Sequence, residues 1–144
     1  MNAPSSAQPI TPCFWPLEQL PGLSAKHYSQ LSDLGLETTA DLLKTITPMP
    51  KRIEYGQKLR LPLQVLNKWI ALSDLARLES IGCQYNGLLL HAGVASVAQL
   101  SQMSAPQLHR QVLKLQVSLM QRRDLCPSVD KVAQWIYEAK KING

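Results

Sequence analysis

Hydrophobic residues recur at helical spacing along most of the chain. In the first part, Tyr28, Leu31 and Leu34 follow an i, i+3 pattern, which predicts a helix over residues 25–34. Gly35 comes directly after this pattern, and glycine is the residue that most readily takes the left-handed conformation at a helix C-terminus. The pattern therefore predicts a short amphipathic helix with a glycine stop.

The glycine stop, and the helix start that follows it, occur twice in the chain. Thr38 is a predicted N-cap with Asp41 in the capping-box position, and laying Gly35 on Gly93 places Thr38 on Ser96, at an offset of 58 residues. At this offset the identical pairs are Leu17 and Leu75, Leu20 and Leu78, Leu31 and Leu89, Ala40 and Ala98, and Leu42 and Leu100. The sequence thus predicts two halves of one design.

Further helices are predicted between and after the two repeated segments. One covers about residues 51–58, and the next opens at Pro62 in the N1 position and carries Trp69 on its apolar, core-facing side. Ser104 is the predicted cap of a following helix, and the last helix spans about residues 128–141. Since no alternating strand pattern of useful length occurs, the predicted fold class is all-α.

This pattern predicts a single domain over residues 15–144, preceded by a flexible, proline-rich leader at residues 1–14. The predicted parts of the domain are unit one (17–46), linker helices (50–74), unit two (75–103) and C-terminal helices (104–142).

Each unit places a tight hairpin in front of a helix. We name Gly22-Leu23-Ser24 hairpin one and Ser80-Ile81-Gly82 hairpin two. Two such units resemble tandem helix-hairpin-helix repeats, as in the C-terminal domain of the RNA polymerase α subunit and in DNA-repair proteins. That resemblance implies that hairpin amides at a helix N-terminus hold a phosphate without reading bases. Each hairpin keeps one glycine of the usual pair, because serine occupies the other position.

The chain from Trp15 to Ile142 also resembles the domain-of-unknown-function 4332 family, especially its cyanobacterial members. The resemblance supports the fold and implies no activity. Its segments are 20–23 (LPGL), 34–39 (LGLETT), 67–77 (NKWIALSDLAR), 88–100 (LLLHAGVASVAQL), 121–127 (QRRDLCP), 132–136 (VAQWI) and 139–140 (AK).

The charge is positive overall and unevenly distributed. The net charge is +5, and the excess lies in the linker helices and the C-terminal half, whereas residues 1–50 carry two basic and four acidic side chains. This excess fits either a solvated surface or a set of phosphate contacts. The predicted nucleic-acid-binding residues are Gly22, Leu23, Ser24, Lys26, Lys51, Arg52, Lys58, Arg60, Ser80, Ile81, Gly82, Gln84, Arg122 and Arg123.

A protein adaptor is the alternative function. In that hypothesis the hairpins have lost phosphate affinity, and apolar surface together with Phe14 and Trp15 recruits a partner. The competing expectation, which we favour for these two side chains, is that they fold back onto the domain and cover its core.

The remaining sequence signals argue against other classes of protein. No catalytic motif, Walker loop or dinucleotide-binding motif is present, so we expect no enzyme activity and no cofactor. Three cysteines without metal-ligand spacing predict no zinc site and favour a reducing compartment, the cytoplasm. Polar residues interrupt the longest uncharged stretch, from Ser80 to His109, so no membrane span is expected.

Overall fold

The computed structural model describes residues 10–116 and 126–142. Within these ranges the chain forms eight α-helices and no β-sheet, which confirms the all-α prediction. The helices are α1 (Ala25–Asp33), α2 (Thr39–Ile46), α3 (Met49–Leu59), α4 (Leu63–Leu75), α5 (Gly82–His91), α6 (Val97–Leu100), α7 (Ala105–Leu115) and α8 (Val129–Lys141). A short 3₁₀ turn at Leu17–Gln19 precedes α1.

Hydroxyl side chains start five of these helices. Each accepts a hydrogen bond from the backbone N–H three residues further on, which satisfies one of the donors that a helix N-terminus leaves open. These N-caps are Ser24, Thr38, Ser96, Ser104 and Ser128. The predicted caps at Thr38, Ser96 and Ser104 are therefore confirmed.

Two details of the helix starts bear on the sequence predictions. Thr38 and Asp41 form the predicted capping box, with both reciprocal hydrogen bonds present. Pro62 was predicted at the first helical position, and this was wrong. It is the N-cap of α4, with an extended ψ of 155°, and Leu63 is the first helical residue.

The core consists of two clusters of buried side chains, which α4 connects. The first core includes Leu31 and Trp69, and Trp69 is only 1% exposed, as its position on an apolar stripe predicted. The second core includes Leu89 and Trp135. Helix α4 contributes Leu66, Trp69 and Leu72 to the first core and Leu75 to the second.

Both halves use related local contacts. Gly35 and Gly93 have φ angles of 88° and 99°, so both take the left-handed conformation that ends α1 and α5. His27 on α1 lies 5.5 Å from the ring centre of Trp69, and the rings of Tyr85 on α5 and Trp135 lie 5.1 Å apart. Trp69 of α4 therefore packs on a ring near the start of α1, and Trp135 of α8 packs on a ring near the start of α5.

The residues before the 3₁₀ turn form an extended segment, which we name the N-terminal arm (residues 10–16). The backbone N–H of Cys13 donates to the carbonyl of Arg77 at 2.8 Å, and the N–H of Thr39 donates to the carbonyl of Trp15 at 2.8 Å. The described part of the predicted leader, residues 10–14, is thus held against the helices by hydrogen bonds.

Candidate functional site

Hairpin one is exposed and has the geometry that close approach of an anion requires. Gly22 has a φ of 81°, which favours glycine, and it lies on the surface with Ser24 and Lys26. The hydroxyl of Ser24 caps the N–H of His27 at 3.1 Å. Within the described ranges no acceptor pairs with the N–H groups of Ser24, Ala25 or Lys26, so these donors face solvent at the positive end of α1.

A lysine of α4 completes this surface. Lys68 Nζ lies 3.5 Å from the position that a Cβ at Gly22 would occupy. The ammonium group therefore lies beside the hairpin backbone, at ordinary van der Waals distance from that position. Sequence reasoning missed Lys68. The one sequence feature that could have indicated Lys68 is its position next to Trp69. In the structure, Trp69 packs on His27, one helical turn from hairpin one.

Carboxylates limit the basic surface on another part of α1. The Tyr28 hydroxyl donates to Glu37 Oε2 at 3.3 Å. Burial raises the pKa of Tyr28, and the nearby charges of Glu37 and Glu18 raise it further. Glu37 and Glu18 therefore place negative charge near Tyr28, whereas Lys26 and Lys68 place positive charge at hairpin one.

Hairpin two has a different environment. Gly82 is buried, and a Cβ there would lie 3.2 Å from Cζ2 of Trp15. Ile81 is only 1% exposed, and the Ser80 hydroxyl donates to Glu138. The indole thus lies against the backbone of hairpin two, and a carboxylate accepts from its serine.

A second carboxylate adds to the negative character of hairpin two. Glu79 accepts from the Cys13 thiol at 3.7 Å. Burial raises the pKa of Cys13, and the charge of Glu79 raises it further. Gln84 is exposed on the first turn of α5. The charge close to hairpin two is therefore negative, whereas the charge close to hairpin one is positive.

The cations predicted on α3 have contacts of their own within that helix. Lys51 and Lys58 form ion pairs with Glu54 at 3.5 and 3.1 Å, and the hydrogen bond from Lys58 is the main reason that the pKa of Glu54 is lowered. Arg60 is exposed and takes the left-handed conformation that ends α3. These three side chains are exposed, and within the described ranges none of them forms a hydrogen bond or ion pair with a hairpin residue.

Arg52 serves the fold. Its guanidinium donates to the carbonyls of Ile46 and Thr47 at the C-terminus of α2, and to Asn67 Oδ1 at 2.9 Å. These bonds satisfy carbonyls that α2 itself leaves open. The hydrogen bonds and ion pairs of the predicted clamp residues Lys51, Arg52 and Lys58 are thus made within α3 and to α2 and α4, and Arg122 and Arg123 lie outside the described residues.

The two aromatic residues of the adaptor hypothesis have different environments. Trp15 folds back, and its Nε1 donates to the Ala76 carbonyl at 2.7 Å. Phe14 is 48% exposed and lines a groove of about 790 Å³, which we name the central groove. Trp15 therefore folds back onto the domain, as expected for both side chains, whereas the ring of Phe14 lines the central groove.

Together these features define a helical protein with two connected cores, one open cationic hairpin and one covered hairpin. The chain belongs to the family described as a domain of unknown function, DUF4332, which it matches over residues 21–142. No curated protein and no solved structure matches it.

The described ranges contain neither a metal-binding cluster nor a membrane-spanning helix. They hold no group of three or more His, Cys, Asp or Glu side chains that could bind a metal ion. None of their helices combines the length and apolar character that crossing a bilayer requires.

Proposed function

We propose that this chain is a non-enzymatic, sequence-tolerant nucleic-acid-binding module that holds the phosphate backbone at hairpin one. The position of Lys68 Nζ, 3.5 Å from where a Cβ at Gly22 would lie, carries this proposal, since it sets an ammonium group beside an open glycine and unpaired amides. Amides and ammonium groups together are the donors that bind phosphate oxygens without reading bases. A cytoplasmic location fits the absence of a disulfide in the described residues.

The proposal treats the chain as a tandem helix-hairpin-helix protein in which the two hairpins have different roles. Hairpin one keeps its open glycine and gains Lys68, whereas hairpin two is closed by Trp15 and Glu138. One hairpin neutralises only one or two phosphates, so we expect micromolar affinity that falls with salt with a log–log slope of about −1 to −2.

Fluorescence anisotropy of the full chain with labelled single-stranded DNA, duplex DNA and RNA tests this proposal. The decisive comparison is Lys68→Gln against Lys140→Gln, because both remove one positive charge and Lys140 is exposed on α8. Lys68→Gln is expected to reduce the salt slope by about one unit and weaken binding several-fold, whereas Lys140→Gln leaves both unchanged.

Two results would contradict the proposal. Equal loss of affinity in both variants would show that only net charge attracts the nucleic acid. Absence of binding by the wild-type chain, even at low salt, would exclude a phosphate-binding hairpin and favour the adaptor function. Only Phe14 of the two adaptor residues is then available to a partner, because Trp15 is held by its hydrogen bond to Ala76.

A further inference from the structure

The central groove is bounded by parallel stripes of side chains on two helices. From α2 and its C-cap the lining residues are Ala40, Leu43, Lys44 and Thr47, and from α4 they are Asn67, Ile70, Ala71 and Asp74. Both sets follow the i, i+3, i+4, i+7 spacing that places residues on one face of a helix. Each helix thus presents a two-turn stripe, about 10 Å long, to the same groove.

The middle of the groove is apolar, and many of its residues are small. Ala40 and Ala71 come from α2 and α4, and Ala98 comes from α6, where it is exposed. Phe14 of the N-terminal arm adds an exposed ring. Small residues let a third helix approach closely, and an aromatic ring provides an anchor of the kind that dominates binding energy.

The charges around the groove favour an acidic occupant. Three cations and one carboxylate line it, so positive charge is in excess. The carboxylate, Asp74, is already engaged by Arg77 at 3.0 Å and by the N–H of Val97 at 2.7 Å. Lys44 is exposed and lies within 4 Å of no carboxylate in the described ranges. This excess favours acidic groups on whatever binds.

We propose that the central groove binds an amphipathic helix of a partner protein, whose apolar i, i+3, i+4, i+7 face packs on α2, α4 and Phe14 and whose acidic flank meets Lys44. None of the residues lining the groove belongs to hairpin one. The proposal therefore goes beyond nucleic-acid binding and stands or fails independently of it. The chain would join a nucleic acid on one surface to a protein on another.

Selection from a phage library of random peptides about 15 residues long, four helical turns, tests this with the full chain as target. Enriched peptides are expected to carry apolar residues at helical spacing beside Asp or Glu. Synthetic copies should bind Lys44→Glu and Ala98→Gln about tenfold more weakly, a loss of about 1.4 kcal/mol. Lys140→Glu and Ala133→Gln are the matched controls, since both positions are exposed on α8.

A charge exchange provides the strictest arm of the test. Replacing the acidic residues of a selected peptide by lysine should abolish binding to the wild-type chain and restore it to Lys44→Glu. The proposal is overturned if no peptide is enriched, if the selected peptides lack acidic residues, or if Lys44→Glu and Lys140→Glu bind them equally. It is also overturned if Lys44→Glu abolishes a concentration-dependent dimer seen by sedimentation, since a second copy would then be the occupant.

Loss of nucleic-acid affinity in Lys44→Glu, with peptide binding unchanged, would assign the groove to nucleic acid and also overturn the proposal. Lys68→Gln separates the two sites, because it should weaken nucleic-acid binding and leave peptide binding intact.

Discussion

Trp15 lies over Gly82, with its Cζ2 atom 3.2 Å from the position that a Cβ at Gly82 would take. The indole Nε1 also donates a 2.7 Å hydrogen bond to the Ala76 carbonyl. The indole is therefore held against the backbone of hairpin two by this bond. The relationship explains why two hairpins of similar sequence have different surfaces.

The first prediction concerns the contribution of Trp15 to stability. Trp15→Ala should lower the free energy of unfolding by about 3 kcal/mol, because it removes a large packed ring. Trp15→Phe should cost about 1 kcal/mol, mainly for the lost hydrogen bond. Phe14→Ala, at an exposed position, should change it by less than about 0.5 kcal/mol. Urea unfolding followed by circular dichroism measures all three, and equal midpoints for Trp15→Ala and Phe14→Ala would refute this account.

The second prediction compares the two hairpin glycines. Both have positive φ, so alanine at either Gly22 or Gly82 should cost about 1 kcal/mol of stability. Gly82→Ala should cost more, because its new Cβ also meets Trp15. Nucleic-acid affinity should show the opposite order, since Gly22 lies at the proposed phosphate site beside Lys68 and Gly82 lies against Trp15. Thermal unfolding and anisotropy on the same two variants test both orders, and an equal loss of affinity in both would contradict the prediction.

The third prediction concerns Arg52. Arg52→Lys keeps the charge but loses the planar fork that reaches the Ile46 and Thr47 carbonyls and Asn67. We expect it to lower the free energy of unfolding by about 1 kcal/mol. Nucleic-acid affinity at a temperature where the variant is folded should be unchanged. If Arg52→Lys unfolds like the wild-type chain but binds nucleic acid more weakly, Arg52 contacts the ligand after all.

The fourth prediction concerns pH. The backbone N–H of Glu37 donates to Asp41 at 2.9 Å and is the main reason that the pKa of Asp41 falls below its ordinary value of 3.8. A lowered folded pKa means that Asp41 stabilises the fold above its unfolded pKa, and that this contribution is lost as pH falls through the folded value. Asp41→Ala should therefore cost about 1 kcal/mol at neutral pH and less in strong acid.

Gln99 supplies the control for this prediction. Its Oε1 accepts from the Ala95 N–H at 2.9 Å, and the N–H of Gln99 donates to Ser96, so it caps α6 with a neutral side chain. The stability lost in Gln99→Ala should not vary with pH below 5, because an amide does not titrate. Denaturant unfolding of both variants at several acidic pH values compares them, and parallel pH profiles would contradict the assigned role of Asp41.

Helix starts could be predicted from sequence because they depend on neighbouring residues. Thr38 and Asp41 are three positions apart, and the capping box needs nothing beyond the turn that joins them. Pro62 shows the limit, since its place as N-cap depends on how the chain leaves Arg60, which ends α3 in a left-handed conformation.

The candidate site depended on contacts between distant parts of the chain. Lys68 reaches Gly22 and Glu138 reaches Ser80 only once α4 and α8 have packed on their cores. A count of charges could not reveal that the guanidinium of Arg52 is already occupied by carbonyls of α2. Sequence reasoning therefore named hairpin one and missed the lysine beside it.

Helix α4 has a consequence for how the chain unfolds. Leu66, Trp69 and Leu72 belong to the first core and Leu75 to the second, so one continuous helix carries both. If either core separates from α4, the helix frays, and the other core depends on the same helix. Two cores of this size could melt separately, but because they share a helix we expect a single cooperative transition, with equal calorimetric and van't Hoff enthalpies.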